Sequence, residues 1–167
     1  GINGLLYVFG GQTNAGGRNE KSRYTAAVYD YDPKTEKWSP RASMPTARSA
    51  MAHDIIDGRV YVAGGRPPRG HDFAMYDPKT DTWTALPDLP TARNHMAAAA
   101  IGGKLYVAGG RFGGGFRSEI TAALEIYDPA AGKWAAKQPM PEARSGLNGI
   151  AVRGCFHTFG GEHPTAG

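Results

Sequence analysis

Several sequence markers recur together along the chain, and their common spacing constrains the fold more than any other feature. The segment Met44–Arg48 (MPTAR) returns as Leu89–Arg93 (LPTAR) and as Met140–Arg144 (MPEAR). A Tyr-Asp-Pro turn is followed each time by a tryptophan seven residues after the tyrosine, as in Tyr31 and Trp38, Tyr76 and Trp83, and Tyr127 and Trp134. Glycine pairs end apolar runs at Gly10-Gly11, Gly64-Gly65, Gly109-Gly110 and Gly160-Gly161. Because the arginines and the tryptophans both advance by 45 and then 51 residues, the chain is built of repeated structural units.

Each unit has the pattern of four short strands. In the second unit the predicted strands are Ala50–Ile56, Val60–Ala63, Phe73–Tyr76 and Thr82–Leu86. The first two are joined by Asp57-Gly58, a dipeptide that favours a tight hairpin turn. Strands that follow one another through turns, with no helical period between them, exclude a βαβ architecture and predict antiparallel sheets.

Composition supports an all-β chain with an unusual core. Glycine and proline supply 24 and 12 of the 167 residues, which disfavours helices throughout. Aliphatic residues are sparse, so the 8 Tyr, 6 Phe and 3 Trp must supply much of the core. A single cysteine excludes a disulfide framework. No apolar run is long enough to predict a membrane helix, and we expect no membrane partner.

These combined markers resemble the kelch repeat, and the resemblance covers nearly the whole chain. It implies a galactose oxidase-like, kelch-type β-propeller built of four-stranded antiparallel blades. The expected units are a blade part over 1–47, blades over 48–92 and 93–143, and a blade part over 144–167. With three, four, four and two strands, the chain forms about three and a quarter blades of one partial propeller. Propellers close with about four to eight blades, so the chain is expected to be a fragment, with completion of the ring by self-association as the alternative.

Residues that recur in every unit are predicted to be scaffold. The arginines at 48, 93 and 144 are expected to tie one blade to the next through hydrogen bonds to backbone carbonyls. The three tryptophans are expected to fill the core, and the aspartates of the Tyr-Asp-Pro turns to form turns. Cys155, within a strand-like run, is expected to be a small core residue.

Residues that differ between units are the candidates for ligand binding. The loops after the glycine pairs are rich in arginine, and they would emerge together around the mouth of a propeller channel. His95 stands two residues after a repeated arginine, where the other units carry Ala50 and Gly146. The predicted ligand-binding residues are Arg18, Arg66, Arg69, His95, Arg111 and Arg117. Such a basic surface would attract carboxylates, which arginine binds through two parallel hydrogen bonds. A merely solvated, charged set of loops is the competing interpretation.

We therefore predict a kelch-type binding module for an acidic peptide, a protein or another anionic ligand. The alternative is a carbohydrate-active kelch propeller of bacterial type, similar to the sialic acid mutarotases, or a secreted sugar-binding protein.

No catalytic residue and no cofactor is predicted, because the five histidines lack the close spacing of a local metal site. That spacing leaves open a site assembled in space. The net charge of +4 is too mild to predict nucleic-acid binding, and the compartment, cytoplasmic, periplasmic or secreted, stays open.

Overall fold

The structure, a computed structural model, describes residues 1–13, 23–67, 70–113 and 118–163. Within these residues the chain forms strands and turns and contains no helix, so the all-β prediction is confirmed. For the same part of the chain, no helix is available that could cross a membrane.

Antiparallel strands form successive sheets of three, four, four and two strands, as the repeat pattern predicted. The first sheet has the strands β1 (Leu6–Phe9), β4 (Val28–Asp32) and β5 (Lys37–Arg41). A small extra pair that the sequence did not predict is formed by β2 (Gln12–Thr13) and β3 (Arg23–Tyr24). The second sheet has β6 (Ala52–Ile56), β7 (Arg59–Gly65), β8 (Gly70–Asp77) and β9 (Thr82–Leu86). The third sheet has β10 (Ala97–Ile101), β11 (Lys104–Ala108), β12 (Leu124–Asp128) and β13 (Lys133–Lys137). The last sheet has β14 (Ser145–Val152) and β15 (Cys155–Glu162).

The sheets pack face to face as propeller blades, with the first strands β6, β10 and β14 adjacent to one another. Aromatic rings fill the spaces between blades. Trp83 of the second sheet meets Phe9 of the first edge-on at 5.8 Å, and Trp134 of the third sheet meets Phe73 of the second at 4.8 Å. Each tryptophan also packs on the tyrosine that it faces within its own sheet, as Trp83 does on Tyr76 at 5.1 Å. Aromatic packing therefore replaces the missing aliphatic core.

The repeated arginines connect successive blades, as predicted. Arg93 is held by the second sheet, because its carbonyl accepts from the Gly65 amide at 2.9 Å. Its fully buried side chain reaches the third sheet, where it donates to the carbonyls of Gly109 (2.7 Å) and Val107 (3.2 Å). Arg48 and Arg144 connect the other sheets through the carbonyls of Gly64 and Gly160.

These arginine backbones explain the first glycine of the first three pairs, at Gly10, Gly64 and Gly109. At Gly64, which has φ +62°, an added Cβ would lie 2.7 Å from the Arg93 carbonyl oxygen. At Gly109 it would lie 2.6 Å from the Arg144 carbonyl oxygen. A side chain at either position would force the connecting segment away from the blade.

The aspartates of the Tyr-Asp-Pro segments stabilise their turns through side-chain hydrogen bonds, as expected. Asp32, Asp77 and Asp128 each accept a hydrogen bond at Oδ1 from the amide two residues on, at 2.8 to 3.0 Å. This contact holds the turn before the last strand of each of the first three sheets.

The outward faces of the first and last sheets are apolar and exposed. In the first sheet Trp38 is 55% exposed, although it contacts Tyr31 within its own sheet at 5.0 Å. In the last sheet Phe159 is 54% exposed. Phe159 precedes a glycine pair as Phe9 does, and Trp38 holds the repeat position of Trp83. The two exposed faces are therefore the repeat equivalents of two faces that pack together inside the chain.

The prediction that Cys155 is a core residue is wrong. Cys155 is exposed at the start of β15, directly after the turn at Arg153 and Gly154. Its repeat equivalents, Arg59 and Lys104, stand at the same place beside the hairpin turn and have exposed side chains in their complete four-stranded sheets, so this is a surface position of the blade.

Candidate functional site

The candidate site begins with the residues that stand two positions after each repeated arginine. Ala50, His95 and Gly146 have φ values of +54°, +58° and +63°. The His95 amide donates to the Ala50 carbonyl at 2.9 Å, and the Gly146 amide donates to the His95 carbonyl at 2.9 Å. These bonds draw three successive units together beside the first strands β6, β10 and β14. Ala50 has only a methyl group and Gly146 has no side chain, so among these three residues only His95 places a large side chain in the space beside the first strands.

The residues after the glycine pairs reach the same place. Arg66 pairs with Ser49, and Arg111 pairs with Asn94, each through two backbone hydrogen bonds of 2.8 to 3.1 Å. Glu162 holds the same repeat position in the last sheet, where it faces Ser145. The backbone therefore aligns Arg66, Arg111 and Glu162 around His95.

The His95 ring connects the two arginines. Its Nε2 accepts from Arg111 Nη2 at 2.9 Å and from Arg66 Nη2 at 3.3 Å. Its Nδ1 lies 2.6 Å from Asn94 Oδ1, and Asn94 Nδ2 donates to the Gly113 carbonyl at 3.1 Å. This amide orientation makes Nδ1 the protonated nitrogen and leaves Nε2 as the acceptor.

The surroundings keep the imidazole neutral. Burial and then the positive charges of Arg111 and Arg66 lower the pKa of His95 to about 4, against a smaller opposing effect of Glu162. At neutral pH the ring is thus an acceptor that orients two guanidiniums without adding to their charge.

A carboxylate completes the arrangement. Glu162 Oε2 accepts from Arg111 Nη1 at 2.7 Å and from Ser145 Oγ at 3.2 Å. We call these six residues the rim cluster: Arg66, Asn94, His95, Arg111, Ser145 and Glu162. Its two guanidiniums, one carboxylate and a neutral ring leave a net positive charge, in a geometry suited to binding a carboxylate or another oxyanion.

The structure brings together three of the six predicted ligand-binding residues: Arg66, His95 and Arg111. Arg18, Arg69 and Arg117 lie outside the described residues. The competing interpretation of merely solvated loops does not hold for Arg111, which is only 5% exposed and whose backbone pairs with Asn94 and Ile120.

Sequence reasoning missed Asn94, Ser145 and Glu162 as members of the site. A signal was present, because Glu162 occupies the repeat position of Arg66 and Arg111, and Asn94 and Ser145 directly follow repeated arginines. Among the described residues, no group of three or more His, Cys, Asp or Glu side chains could hold a metal ion.

Comparisons with known proteins agree with the repeat pattern. The family model described as the KLHDC2/KLHL20/DRC7 Kelch-repeats domain matches residues 1–166. The chain is 30% identical over 157 residues to mouse Kelch-like protein 40, covering 94% of this chain and 16% of that protein. It is 31% identical over 156 residues to alpha-scruin from Limulus polyphemus, covering 93% of this chain and 12% of that one.

A solved structure shows the same fold. The structure of YjhT superposes with a TM-score of 0.79 at 20% identity, covering 96% of this chain and 57% of that chain. The chain thus spans less than a fifth of these two relatives and little more than half of the solved propeller. The sequence repeat, the blades and the family match agree, and the chain belongs to the kelch-repeat family as part of a β-propeller.

Proposed function

We propose that this domain binds an acidic peptide segment, or another anionic ligand, at the rim cluster. Its kelch-repeat character indicates a protein-binding module in general terms, and the nature of the ligand is our inference from the site. The observation that carries it is the convergence of Arg66 and Arg111 on the His95 imidazole, at 3.3 and 2.9 Å.

The physical argument is that the guanidiniums of Arg66 and Arg111 are positioned by the His95 ring before any ligand binds. Two like charges on one acceptor repel each other, and an incoming carboxylate would relieve that repulsion. Arg111 is buried and fixed by His95, so little conformational entropy is lost when a ligand binds it. Arginine presents a planar fork that matches a carboxylate, which favours Asp, Glu or a chain terminus as the group recognised.

The test is direct binding of a fluorescein-labelled tetraglutamate peptide, followed by fluorescence anisotropy, with tetraglutamine and a sialylated sugar as comparison ligands. Arg66→Ala should weaken tetraglutamate binding about tenfold, the value of one lost charge-assisted contact. Arg111→Lys keeps the charge but not the planar fork, so it should also weaken binding. The loss should shrink in high salt, where the attraction is already screened.

The matched control is Arg59→Ala. Arg59 lies at the opposite end of β7 from Arg66, where it pairs with Asp77 at 2.9 Å. The Arg59→Ala substitution removes one positive charge, as Arg66→Ala does, but leaves the rim cluster intact, so tetraglutamate binding should not change. Equal losses in the Arg66 and Arg59 variants would mean that net charge alone attracts the peptide. No loss in either rim variant would refute the proposed site.

We also propose that the exposed faces around Trp38 and Phe159 associate between copies of the chain. Such a contact would repeat the packing of Trp83 on Phe9 at 5.8 Å, and it would be head-to-tail. Light scattering over a concentration series should show oligomers that Trp38→Glu abolishes. A chain that stays monomeric at every concentration, with or without the substitution, would refute this association.

A further inference from the structure

Glu162 occupies the place in the rim cluster where a ligand carboxylate would bind. In the two preceding units the same repeat position holds Arg66 and Arg111, whereas the last unit places an acid there. The Glu162 Oε2 accepts from a guanidinium nitrogen of Arg111 at 2.7 Å and from the Ser145 hydroxyl at 3.2 Å. A guanidinium and a hydroxyl are the donors that would bind a carboxylate from outside.

The two partners of this ion pair differ in freedom. The Arg111 side chain is buried, and its second terminal nitrogen donates to His95, which Asn94 orients in turn. The Glu162 side chain is 39% exposed. Because Arg111 is fixed and Glu162 borders solvent, the glutamate is the partner that can leave.

We propose that Glu162 is an internal carboxylate that holds the anion position on Arg111 and Ser145, and that a ligand carboxylate binds by replacing it. This inference rests on the proposed function and specifies the ligand class. Exchanging one carboxylate for another on Arg111 gains little free energy, so a ligand with a single carboxylate binds weakly. A ligand with two or more carboxylates gains the additional attraction of Arg66, whose guanidinium bonds the same imidazole nitrogen. Glu162 thereby selects polyacidic segments over isolated carboxylates.

The test compares tetraglutamate binding by the wild-type chain and by Glu162→Gln. Glutamine keeps the size of the side chain but not its charge, so it competes weakly for Arg111. We expect the variant to bind tetraglutamate about tenfold more tightly, since one charge-assisted hydrogen bond no longer has to be broken. Circular dichroism and thermal melting verify that the variant is folded.

Two further variants separate contact from net charge. Glu142→Gln makes the same charge change and also breaks an arginine pair, with Arg144 at 2.6 Å, outside the rim cluster. It should leave tetraglutamate affinity close to that of the wild type. Glu162→Asp keeps the charge but shortens the side chain by one methylene, so it should bind tetraglutamate more tightly than the wild type does.

The outcomes distinguish this inference from the proposed function. If the wild type binds tetraglutamate and Glu162→Gln binds it equally or more weakly, Glu162 is no competitor and the inference fails alone. If Glu142→Gln tightens binding as much as Glu162→Gln does, net charge explains the effect and the inference again fails. If neither the wild type nor any variant binds tetraglutamate, the proposed function fails with it.

Discussion

Replacing Arg93 by alanine tests whether the repeated arginines hold the blades together. The Arg93 side chain is 0% exposed and donates to three backbone carbonyls, those of Gly109, Val107 and Thr91. It also pairs with Glu125, which is 4% exposed. Alanine would leave the three carbonyls without this donor and the Glu125 carboxylate buried without its counter-charge.

The structure gives the magnitude of the loss. Breaking a buried ion pair by removing one partner costs about 3–5 kcal/mol, because the remaining charge is left desolvated. Arg144 holds the same repeat position in the next unit but is half-exposed and makes one carbonyl contact, to Gly160 at 3.2 Å. Its alanine variant should cost about 1 kcal/mol or less, as exposed pairs do.

The assay is urea unfolding followed by tryptophan fluorescence, from which the free energy of unfolding in water is obtained for each variant. The slope of free energy against denaturant should be the same in all variants, so that a shift of the midpoint reports a change of stability. For a chain of this size, a loss of about 3–5 kcal/mol corresponds to a melting temperature lowered by roughly 6–20 °C. The double variant Arg93→Met with Glu125→Leu should recover part of the loss, since it leaves no unpaired charge. Equal losses in Arg93→Ala and Arg144→Ala would refute the argument that burial decides the contribution of these arginines.

Three further predictions concern the core, the histidine and metal content. Trp83→Ala should cost about 3–5 kcal/mol of unfolding free energy, whereas Trp38→Ala, at an exposed position, should cost about 0.5 kcal/mol at low protein concentration; similar losses would contradict the packing described. Because the pKa of His95 is lowered to about 4 in the folded chain, its contribution to stability is present above pH 6.5 and is lost as the pH falls toward 4. His95→Gln should therefore lose less stability than the wild type between pH 7 and pH 4.5 in urea titrations, and an identical loss would refute this assignment. Elemental analysis of the purified protein should find no stoichiometric copper or zinc, and one tightly bound metal per chain would favour the enzyme alternative.

The repeat pattern predicted the fold because the same constraints recur at the same spacing. In the first three units a glycine lies against the backbone of a repeated arginine, and a tyrosine packs on a tryptophan within its own sheet. Because these contacts recur at a fixed spacing, the spacing alone predicts the four-stranded blade. Cys155 shows where a local pattern is insufficient. Its strand was predicted correctly, but an apolar neighbourhood in the sequence does not distinguish the core from the strand end beside the turn, where the repeat equivalents Arg59 and Lys104 are also exposed.

Half of the predicted site could be assembled from the sequence, since Arg66, His95 and Arg111 stand at equivalent or adjacent repeat positions. The burial of Arg111 could not be predicted, because a charged, glycine-rich loop has the composition of a solvated surface. Glu162 was not predicted because the candidate residues were chosen for positive charge. An acidic residue that pairs with one of the arginines does not meet that criterion.

The most direct test of the account is a titration of the 15N-labelled chain with tetraglutamate, in which the arginine Nε–Hε resonances are followed by NMR. The account predicts that the signals of Arg66 and Arg111 shift on binding. The scaffold arginines Arg48 and Arg93, which are bonded to blade carbonyls, should not shift. Saturable binding that leaves Arg66 and Arg111 unchanged and shifts signals elsewhere would contradict the claim that the rim cluster is the anion-binding site.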